Sequence, residues 1–280
     1  MKIIETFEKV TASGKIKRFE KIIAFDKLFI VELDKNGNAA IKKDIEIVEN
    51  ILSKDVITIS DRYTLIRIYN VAYHESGKIE DIYSLDSSAT NCDFCKAMRA
   101  LAAKMPGKII CESCYDIAQE KYRFAALNRH TLNMIIFSSV EFEIAELAAL
   151  PCGLDIRINS SGDAPNQIYA NNALKMGFAF PSSNVAIWTK NAPVYINSCR
   201  KYGKPENVSL IKSSIYIDKP EKLPEFFDYV FTVYFDKEKV EQAIKNGACE
   251  CNGKKCLDCG KKCYRKTWKS GANIAELLRK

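Results

Sequence analysis

The chain has 280 residues, of which 47% are hydrophobic and 28% are charged, a composition typical of a globular protein with a sizeable core. It contains no apolar run of the roughly 20 residues that a membrane-spanning helix needs. It also begins without the apolar segment of a signal peptide. These features exclude an integral membrane protein, and we expect a cytoplasmic protein that makes no membrane contact.

The positive charge is concentrated at one end of the chain. The net charge is +7, and residues 245–280 contain ten Lys or Arg and three Asp or Glu, so this segment accounts for the whole excess. A basic segment suggests an anionic partner such as nucleic acid. Alternatively, some of these lysines neutralise thiolates that bind a metal ion.

Residues 1–84 are predicted to form a small α+β or β-rich N-terminal module without a catalytic signature. Residues 21–33 and 56–73 are rich in Ile, Val, Phe and Tyr, which favours strands. Asn36-Gly37-Asn38 is typical of a hairpin turn. Residues 41–52 place their apolar side chains on one helical face.

Four cysteines, which we call the first cysteine group, come next: Cys92, Cys95, Cys111 and Cys114. Two Cys-x-x-Cys pairs separated by fifteen residues have the spacing of a zinc site with four thiolates. A reducing compartment keeps thiols out of disulfides, so metal ligation is the favoured interpretation.

Two helices are predicted between the first cysteine group and the strands that follow. The first spans residues 115–137 and carries His130, which we interpret as a structural histidine, as we do His74. The second begins at Ser138, where Glu141 completes a capping box, and ends before Pro151.

Strand–helix repeats are predicted from residue 154 onward. Apolar runs at 154–158, 185–188, 208–211 and 229–235 each end in small polar residues, and three of them lead into segments with helical spacing. This alternation predicts an α/β fold with a parallel sheet or partial barrel. Asp163 is the expected N-cap of the first of these helices, with Pro165 in its first turn.

The carboxyl ends of parallel strands are where functional groups collect. We therefore predict an active site there, with Asp163 as acid/base or ligand and Lys190 as an anion-binding group, alongside Asn159 and Ser161. The expected substrate-binding residues are Thr189, Asn191, Ser213 and Ser214. The alternative is that Asp163 merely caps a helix and Lys190 is solvated.

A second set of thiols, the second cysteine group, lies near the C-terminus: Cys249, Cys251, Cys256, Cys259 and Cys263. Five thiols in fifteen residues have little packing value, so we predict metal ligation here too. Cys152 and Cys199 stand alone and are interpreted as small buried hydrophobes.

The residues around and after the second cysteine group favour a different function, that of a zinc-stabilised nucleic-acid-binding or inhibitory accessory protein. Its candidate contacts with phosphates and bases are Lys261, Lys262, Arg265, Lys266 and Trp268. Residues 266–280 are predicted to be a basic tail with a short helix at 272–278. A third possibility is a metal-stabilised protein whose role is to bind another protein.

Several segments, in order, resemble the phage gene product 88 domain family. They are Met105-Pro106-Gly107-Lys108, Cys111-Glu112-Ser113-Cys114-Tyr115, Arg157-Ile158-Asn159-Ser160-Ser161-Gly162-Asp163, Trp188-Thr189-Lys190-Asn191 and Cys256-Leu257-Asp258-Cys259-Gly260-Lys261-Lys262-Cys263. The resemblance covers about residues 84–265, giving a family-like domain at 85–265. It implies a phage or mobile-element protein, acting in a bacterial host, without an established activity.

The resemblance also bears on the cofactor. The family pattern has one cysteine before its Cys-x-x-Cys-Tyr motif, which maps onto Cys95 and makes Cys92 an addition. It implies a second arrangement, in which Cys95, Cys111 and Cys114 meet thiols of the second cysteine group. The Cys-x2-Cys-x3-Cys run and the cysteine-rich start of the strand–helix repeats are also similar to iron–sulfur ligation. Zinc and an iron–sulfur cluster both remain open.

Overall fold

The computed structural model describes residues 1–11, 13–251 and 255–278. The strands are β1 (Lys2–Val10), β2 (Ile16–Ala24), β3 (Lys27–Leu33), β4 (Ala72–His74), β5 (Ile82–Leu85), β6 (Asp155–Ile158), β7 (Asn184–Thr189), β8 (Val208–Ser213), β9 (Tyr229–Tyr234), β10 (Cys249–Glu250) and β11 (Asn273–Leu277). The α-helices are α1 (Ala40–Leu52), α2 (Ile59–Ile68), α3 (Asp93–Lys104), α4 (Tyr115–Glu120), α5 (Phe124–Ser139), α6 (Ile144–Leu147), α7 (Gln167–Ala179), α8 (Ala192–Tyr202) and α9 (Lys237–Lys245). A 3-10 helix spans Ile110–Ser113.

An eight-stranded sheet forms the centre of the molecule, in the order β10-β11-β9-β8-β7-β6-β5-β4. Every neighbouring pair is parallel except β4 with β5. The predicted α/β class with a parallel sheet is therefore confirmed. The sheet is open, since β10 and β4 each have a single neighbour in the described part of the chain, so it is not a barrel.

Side chains along each strand alternate between the two faces of this sheet. On β7, Val185 and Ile187 join the large core, whereas Ala186 and Trp188 face the opposite side. The large core also contains buried side chains of α5, α7 and α8. Burial on both faces explains why the parallel strands read as continuous apolar runs.

The N-terminal part forms a separate three-stranded antiparallel sheet, β1-β2-β3, that shares the large core. The helix predicted at 41–52 is confirmed as α1, but the strand predicted at 56–73 is wrong over α2. That helix begins at Thr58, which forms a capping box with Asp61, and this local signal outweighs the β-branched content. The turn at 36–38 leads into α1 rather than into a second strand.

The predicted domain boundary at residue 84 falls inside β5. Both β4 and β5 belong to the eight-stranded sheet, so residues 1–84 are not an independent module. The boundary was misplaced because β4 and β5 are too short to have a clear pattern of their own.

The two helices predicted between residues 115 and 151 differ from those observed. The long helix at 115–137 is divided into α4 and α5 by residues 121–123. The helix predicted from Ser138 is reduced to the single turn α6, which is capped by Glu143 and Glu146 rather than by Ser138.

The C-terminal segment covers the second face of the sheet. Cys256, Cys263 and Tyr264 are buried there against Ile82 and Ile211. The predicted tail helix at 272–278 is wrong, because this stretch is β11, inserted between β10 and β9. Residues 279–280 of the predicted tail lie outside the described residues.

In the described part of the chain, no helix has both the length and the apolar character required to span a membrane.

Candidate functional site

The segments that follow β5, β6, β7 and β8 lie together at one edge of the sheet, which we call the carboxyl edge. They contain residues 86–88, 159–163, 189–191 and 213–214. Most of their polar side chains are buried. The sequence prediction that these strand ends converge is therefore correct in its geometry.

Asp163 is the central acceptor of this edge and does not cap a helix. The N-cap of α7 is Asn166, whose side chain accepts from the Tyr169 backbone. Asp163 instead accepts hydrogen bonds from Thr189 Oγ1 at 2.6 Å, from the Lys190 backbone at 2.7 Å and from the Ala164 backbone at 2.8 Å. It is 2% exposed, and burial raises its pKa against the opposing influence of the Lys190 charge and these hydrogen bonds.

Gly162 allows the loop after β6 to touch the loop after β5. Its φ of +71° is left-handed, and a Cβ atom would lie 2.3 Å from the Ser87 carbonyl oxygen. Ser87 donates from its backbone to the Ser161 carbonyl, and its hydroxyl donates to the Asp163 carbonyl. Only glycine fits this approach without strain.

Asn159, predicted to be catalytic, links several elements. Its φ is +60°, and its amide donates to the Trp188 carbonyl at 3.1 Å and to the Tyr195 hydroxyl at 3.2 Å. Its carbonyl accepts from the Tyr169 hydroxyl at 2.9 Å. Because these contacts occupy both ends of the amide, the geometry gives Asn159 a positioning role.

Lys190 is the cation of the carboxyl edge. Burial opposes its charge, but the side chains of Cys111, Asp163, Cys95 and Cys114, in that order of influence, outweigh burial and raise its pKa. The Lys190 ammonium donates no hydrogen bond to another described residue.

Ser213 and Ser214 are buried at the end of β8. The Ser214 hydroxyl lies 3.1 Å from that of Thr232 on β9. Sequence reasoning missed the adjacent Lys212, which is 5% exposed. The Lys212 ammonium forms an ion pair of 3.0 Å with Glu221 and donates to the Lys190 carbonyl, which ties the ends of β7 and β8 together.

The connection between β5 and β6 holds the first cysteine group at this same edge. Cys92 precedes α3, Cys95 lies in its first turn, Cys111 lies in the 3-10 helix and Cys114 precedes α4. Residues 108–110 pair with residues 215–217 after β8, which fixes the segment that leads to Cys111. The Cys92 thiol also contacts the Asp163 carbonyl at 3.5 Å.

Cys92 and Cys95 act as a pair. A hydrogen bond from the Cys95 thiol lowers the pKa of Cys92, whereas pairing with Cys92 and burial raise the pKa of Cys95. Burial also raises the pKa of Cys111 and of Cys114.

Five titratable residues lie near one another at this edge: His74 and His130, which the sequence analysis interpreted as structural, and Asp86, Asp116 and Glu120, which it passed over. Burial and the neighbouring Asp86 charge raise the pKa of Asp116 to about 6. His130 lies 3.4 Å from Glu120, and this contact, with the Asp86 charge, outweighs burial and raises the pKa of His130. The overlooked signal was Asp86-Ser87-Ser88, which follows β5 just as the polar cluster at 159–163 follows β6.

Four members of the second cysteine group line a small cavity of about 50 Å³ on the second face of the sheet: Cys251, Cys256, Cys259 and Cys263. Arg157 lines the same cavity, and its guanidinium stacks on Trp188, 4.3 Å from the ring centroid. Burial opposes the Arg157 charge, but Tyr264, Cys256, Asp86 and Cys263 outweigh it and raise the pKa of Arg157. Cys249 lies nearby on β10.

The two cysteine groups have different surroundings. The first group has Asp163 and Lys190 as its charged neighbours, whereas thiols of the second group neighbour one another and Arg157. None of these charged or thiol neighbours of one group belongs to the other group. Among the described residues, no three Cys, His, Asp or Glu side chains are already positioned to hold a metal ion.

The residues predicted to contact nucleic acid are divided between buried and exposed positions. Lys261 is 4% exposed and forms an ion pair of 2.6 Å with Asp155. Lys266 donates to the Glu206 carbonyl, and Trp268 packs edge-on against Tyr229. The remaining two, Lys262 and Arg265, are exposed.

Comparison with known proteins identifies a family. The family model described as Gene product 88 matches residues 62–275, about three quarters of the chain. This match begins earlier and ends later than the resemblance at 84–265, so β4, β5 and most of β11 fall inside it. No curated protein and no solved structure matches the chain.

Proposed function

This protein belongs to the Gene product 88 family, and we propose that it is a metalloenzyme whose reaction takes place at the carboxyl edge. In this proposal the thiolates of the first cysteine group bind the metal centre. Lys190 binds an anionic group of the substrate, and the reaction itself is unspecified.

The observation that carries the proposal is that an ammonium and several thiols meet at one edge. Cys95, Cys111 and Cys114 all lie within electrostatic range of Lys190. Asp163 accepts hydrogen bonds from Thr189 and Lys190, and these hold the loop at residues 159–163 against the end of β7. Three polar strand ends that interlock in this way exceed what helix capping requires.

The donor set suits a soft metal. Thiolates favour zinc or an iron–sulfur cluster, although no three of the described side chains are positioned together as metal ligands. When bound, a cluster supplies electron transfer, whereas zinc supplies a Lewis acid. We place the protein in the cytoplasm of a bacterial host, where thiols stay reduced.

The chain's own residues divide the remaining work. Because donors already occupy both carboxylate oxygens of Asp163, we assign it a positioning role rather than proton transfer. Asn159 and Ser161 hold the same loop in place. Asn191, Ser213 and Ser214 lie at or just after the ends of β7 and β8 and would contact the substrate around Lys190.

The second cysteine group is assigned a structural metal. Its cavity is small and enclosed between the sheet and the C-terminal segment, as expected of a closed structural site rather than a catalytic one. Metal binding there would stabilise the packing of residues 255–272.

Metal analysis of protein purified without oxygen is the first test. We expect metal at both cysteine groups in the wild type. Cys111→Ser/Cys114→Ser should lose the metal of the first group, and Cys256→Ser/Cys259→Ser should lose that of the second group. Cys152→Ser, which changes an isolated thiol, is the control and should keep the full content. Iron with acid-labile sulfide and a brown colour would indicate a cluster, whereas colourless protein with zinc would indicate Lewis-acid or structural chemistry. Protein without bound metal would contradict the proposal.

Substrate binding is tested by thermal shift with a panel of small carboxylates and phosphates. A ligand at 100 times its Kd stabilises the folded state by about 2.7 kcal/mol. We expect Lys190→Met to abolish the shift, Lys190→Arg to keep part of it, and Lys237→Met, an exposed control, to leave it unchanged. A shift that survives in Lys190→Met would remove Lys190 from the binding site.

Nucleic-acid binding is the second candidate function, supported by the exposed cations Lys262 and Arg265. On single-stranded DNA, loss of two phosphate contacts should reduce the steepness of log K against log salt by about 1.4. Lys262→Ala/Arg265→Ala should therefore bind single-stranded DNA more weakly and with less salt dependence. Equal binding by the variant and the wild type would rule out these residues as the interface.

A further inference from the structure

A continuous hydrogen-bonded chain joins the edge of the eight-stranded sheet to the carboxyl edge. The His74 Nε2 atom lies 2.8 Å from the Ser84 hydroxyl, and that hydroxyl donates to Asp86 Oδ2 at 2.7 Å. On its other oxygen, Asp86 accepts from the Ser160 hydroxyl at 2.5 Å and from the Ser161 backbone at 2.9 Å. We propose that His74, Ser84 and Asp86 form a proton relay that supplies the carboxyl-edge site, an inference that rests on the proposed function.

Burial gives the chain a direction. His74 lies on the edge strand β4 and is half-buried, whereas Ser84 is 1% exposed and Asp86 is 5% exposed. Among the described residues His74 Nδ1 has no hydrogen-bond partner, so this nitrogen is left to water. Ser160 and Ser161 belong to the loop that carries Asp163. The chain therefore runs from solvent to the candidate site.

The number of available protons fixes the hydrogen-bond directions in the resting state of this chain. A serine hydroxyl has one hydrogen, and that of Ser84 is used on Asp86. His74 must then donate from Nε2 to the Ser84 oxygen, which makes the neutral ring an Nε2–H tautomer. If Ser84 donated to His74 instead, Asp86 Oδ2 would lose its donor in a buried position, which is costly.

The relay step conserves protons. A proton from water binds His74 Nδ1, the Nε2 proton moves to Ser84, and the Ser84 proton moves to Asp86 Oδ2. The result is a neutral Asp86, an intact Ser84 hydroxyl and the Nδ1–H tautomer of His74. Asp86 then holds a proton on Oδ2, in the same carboxyl group whose Oδ1 accepts from Ser160, and a reaction at the carboxyl edge can take it.

The charges around His74 suit a group that exchanges protons without remaining charged. Burial is the largest influence and lowers its pKa, Arg157 and His130 act in the same direction, and Asp86 opposes them. His74 is therefore mostly neutral at neutral pH, as the relay requires.

The two histidines of this chain make the relay accessible to NMR of full-length protein carrying ¹⁵N-histidine. We expect His74 to be the Nε2–H tautomer in the wild type at pH 8. The Nδ1–H tautomer would overturn the proposal, and this measurement needs no variant. In Asp86→Asn, loss of the carboxylate charge, which opposes burial, should lower the His74 pKa further, and an unchanged pKa would contradict the coupling.

Proton transfer itself is tested by exchange of the Ser84 hydroxyl proton with water. His74→Leu should slow this exchange by about tenfold or more. Tyr73→Phe changes an exposed neighbour on the same strand and should leave it unchanged. Equal exchange in His74→Leu and wild type would overturn the relay. None of these readouts depends on metal content or on Lys190, so failure of the relay is distinguishable from failure of the proposed function.

Discussion

Lys261→Met tests whether the basic C-terminal segment is held in place by a buried ion pair. The Lys261 ammonium lies 2.6 Å from Asp155 Oδ2 and 3.1 Å from the Asp81 carbonyl. Both side chains of the pair are almost fully buried, at 5% and 7% exposure. The pair attaches the segment that carries the second cysteine group to the start of β6.

The size of the destabilisation depends on the Asp155 charge that Lys261→Met leaves unpaired. Methionine preserves the length of the side chain but leaves Asp155 as a buried carboxylate whose remaining side-chain partner is Asn184. Breaking a buried pair on one side costs about 3–5 kcal/mol. At roughly 2–4 °C per kcal/mol for a chain of this size class, the melting temperature should fall by roughly 6–20 °C.

Urea and thermal unfolding monitored by circular dichroism measure this effect. Lys262→Met changes the exposed neighbour and should alter stability by no more than about 0.5 kcal/mol. The double variant Lys261→Met/Asp155→Leu removes both charges and should regain most of the loss. If Lys261→Met were as stable as Lys262→Met, the buried pair would not hold the segment and the reasoning would be refuted.

Three further predictions concern the sheet loops and the core. Gly162→Ala should destabilise the protein by more than the about 1–2 kcal/mol of a left-handed alanine, because its Cβ would meet the Ser87 carbonyl. Gly107→Ala, with the nearly identical φ of +70° but no atom within 4 Å, should lose only that amount, and equal losses of melting temperature in the two variants would contradict the interlock. Asn172→Ala should lower the free energy of unfolding by at least about 3 kcal/mol, because the buried amide hydrogen-bonds to the backbone of Phe142, Phe137 and Val140. Asn197→Ala, at an exposed position, is the control. If urea unfolding showed only a small loss for Asn172→Ala, this role of the amide would be contradicted. Burial raises the pKa of Glu141, but hydrogen bonds from Tyr202, Asn171 and Lys175 outweigh it and lower this pKa from 4.5 to about 2. The ionised Glu141 carboxylate therefore stabilises the folded state fully above pH 4.5, and this stabilisation is lost as the pH falls through 2. Glu141→Gln should therefore be less stable than wild type at pH 7 and the gap should narrow at pH 3, whereas a gap independent of pH would exclude the ionised carboxylate as its cause.

The sequence by itself determined the class of the fold and the location of the candidate site. Apolar runs buried on both faces, each ending in small polar residues, predicted a parallel sheet with its functional groups at the carboxyl ends. The residues quoted for the family resemblance also identified the family that the Gene product 88 match confirms. These signals are local, so they are readable without knowledge of the tertiary structure.

Residue roles were decided only by tertiary structure. Asp163 and Asn166 both look like N-caps, and whether Asp163 capped α7 or bound the β7 loop depended on how the two loops meet. Lys261 and Lys262 are adjacent lysines that nothing in the local sequence distinguishes, yet Lys261 is buried against Asp155 and Lys262 is exposed. The short segment at 273–277 became a strand because β9 and β10 offered it partners on both sides. Backbone pairing and burial between segments distant in the chain leave no local signal, and for that physical reason the sequence could not assign these roles.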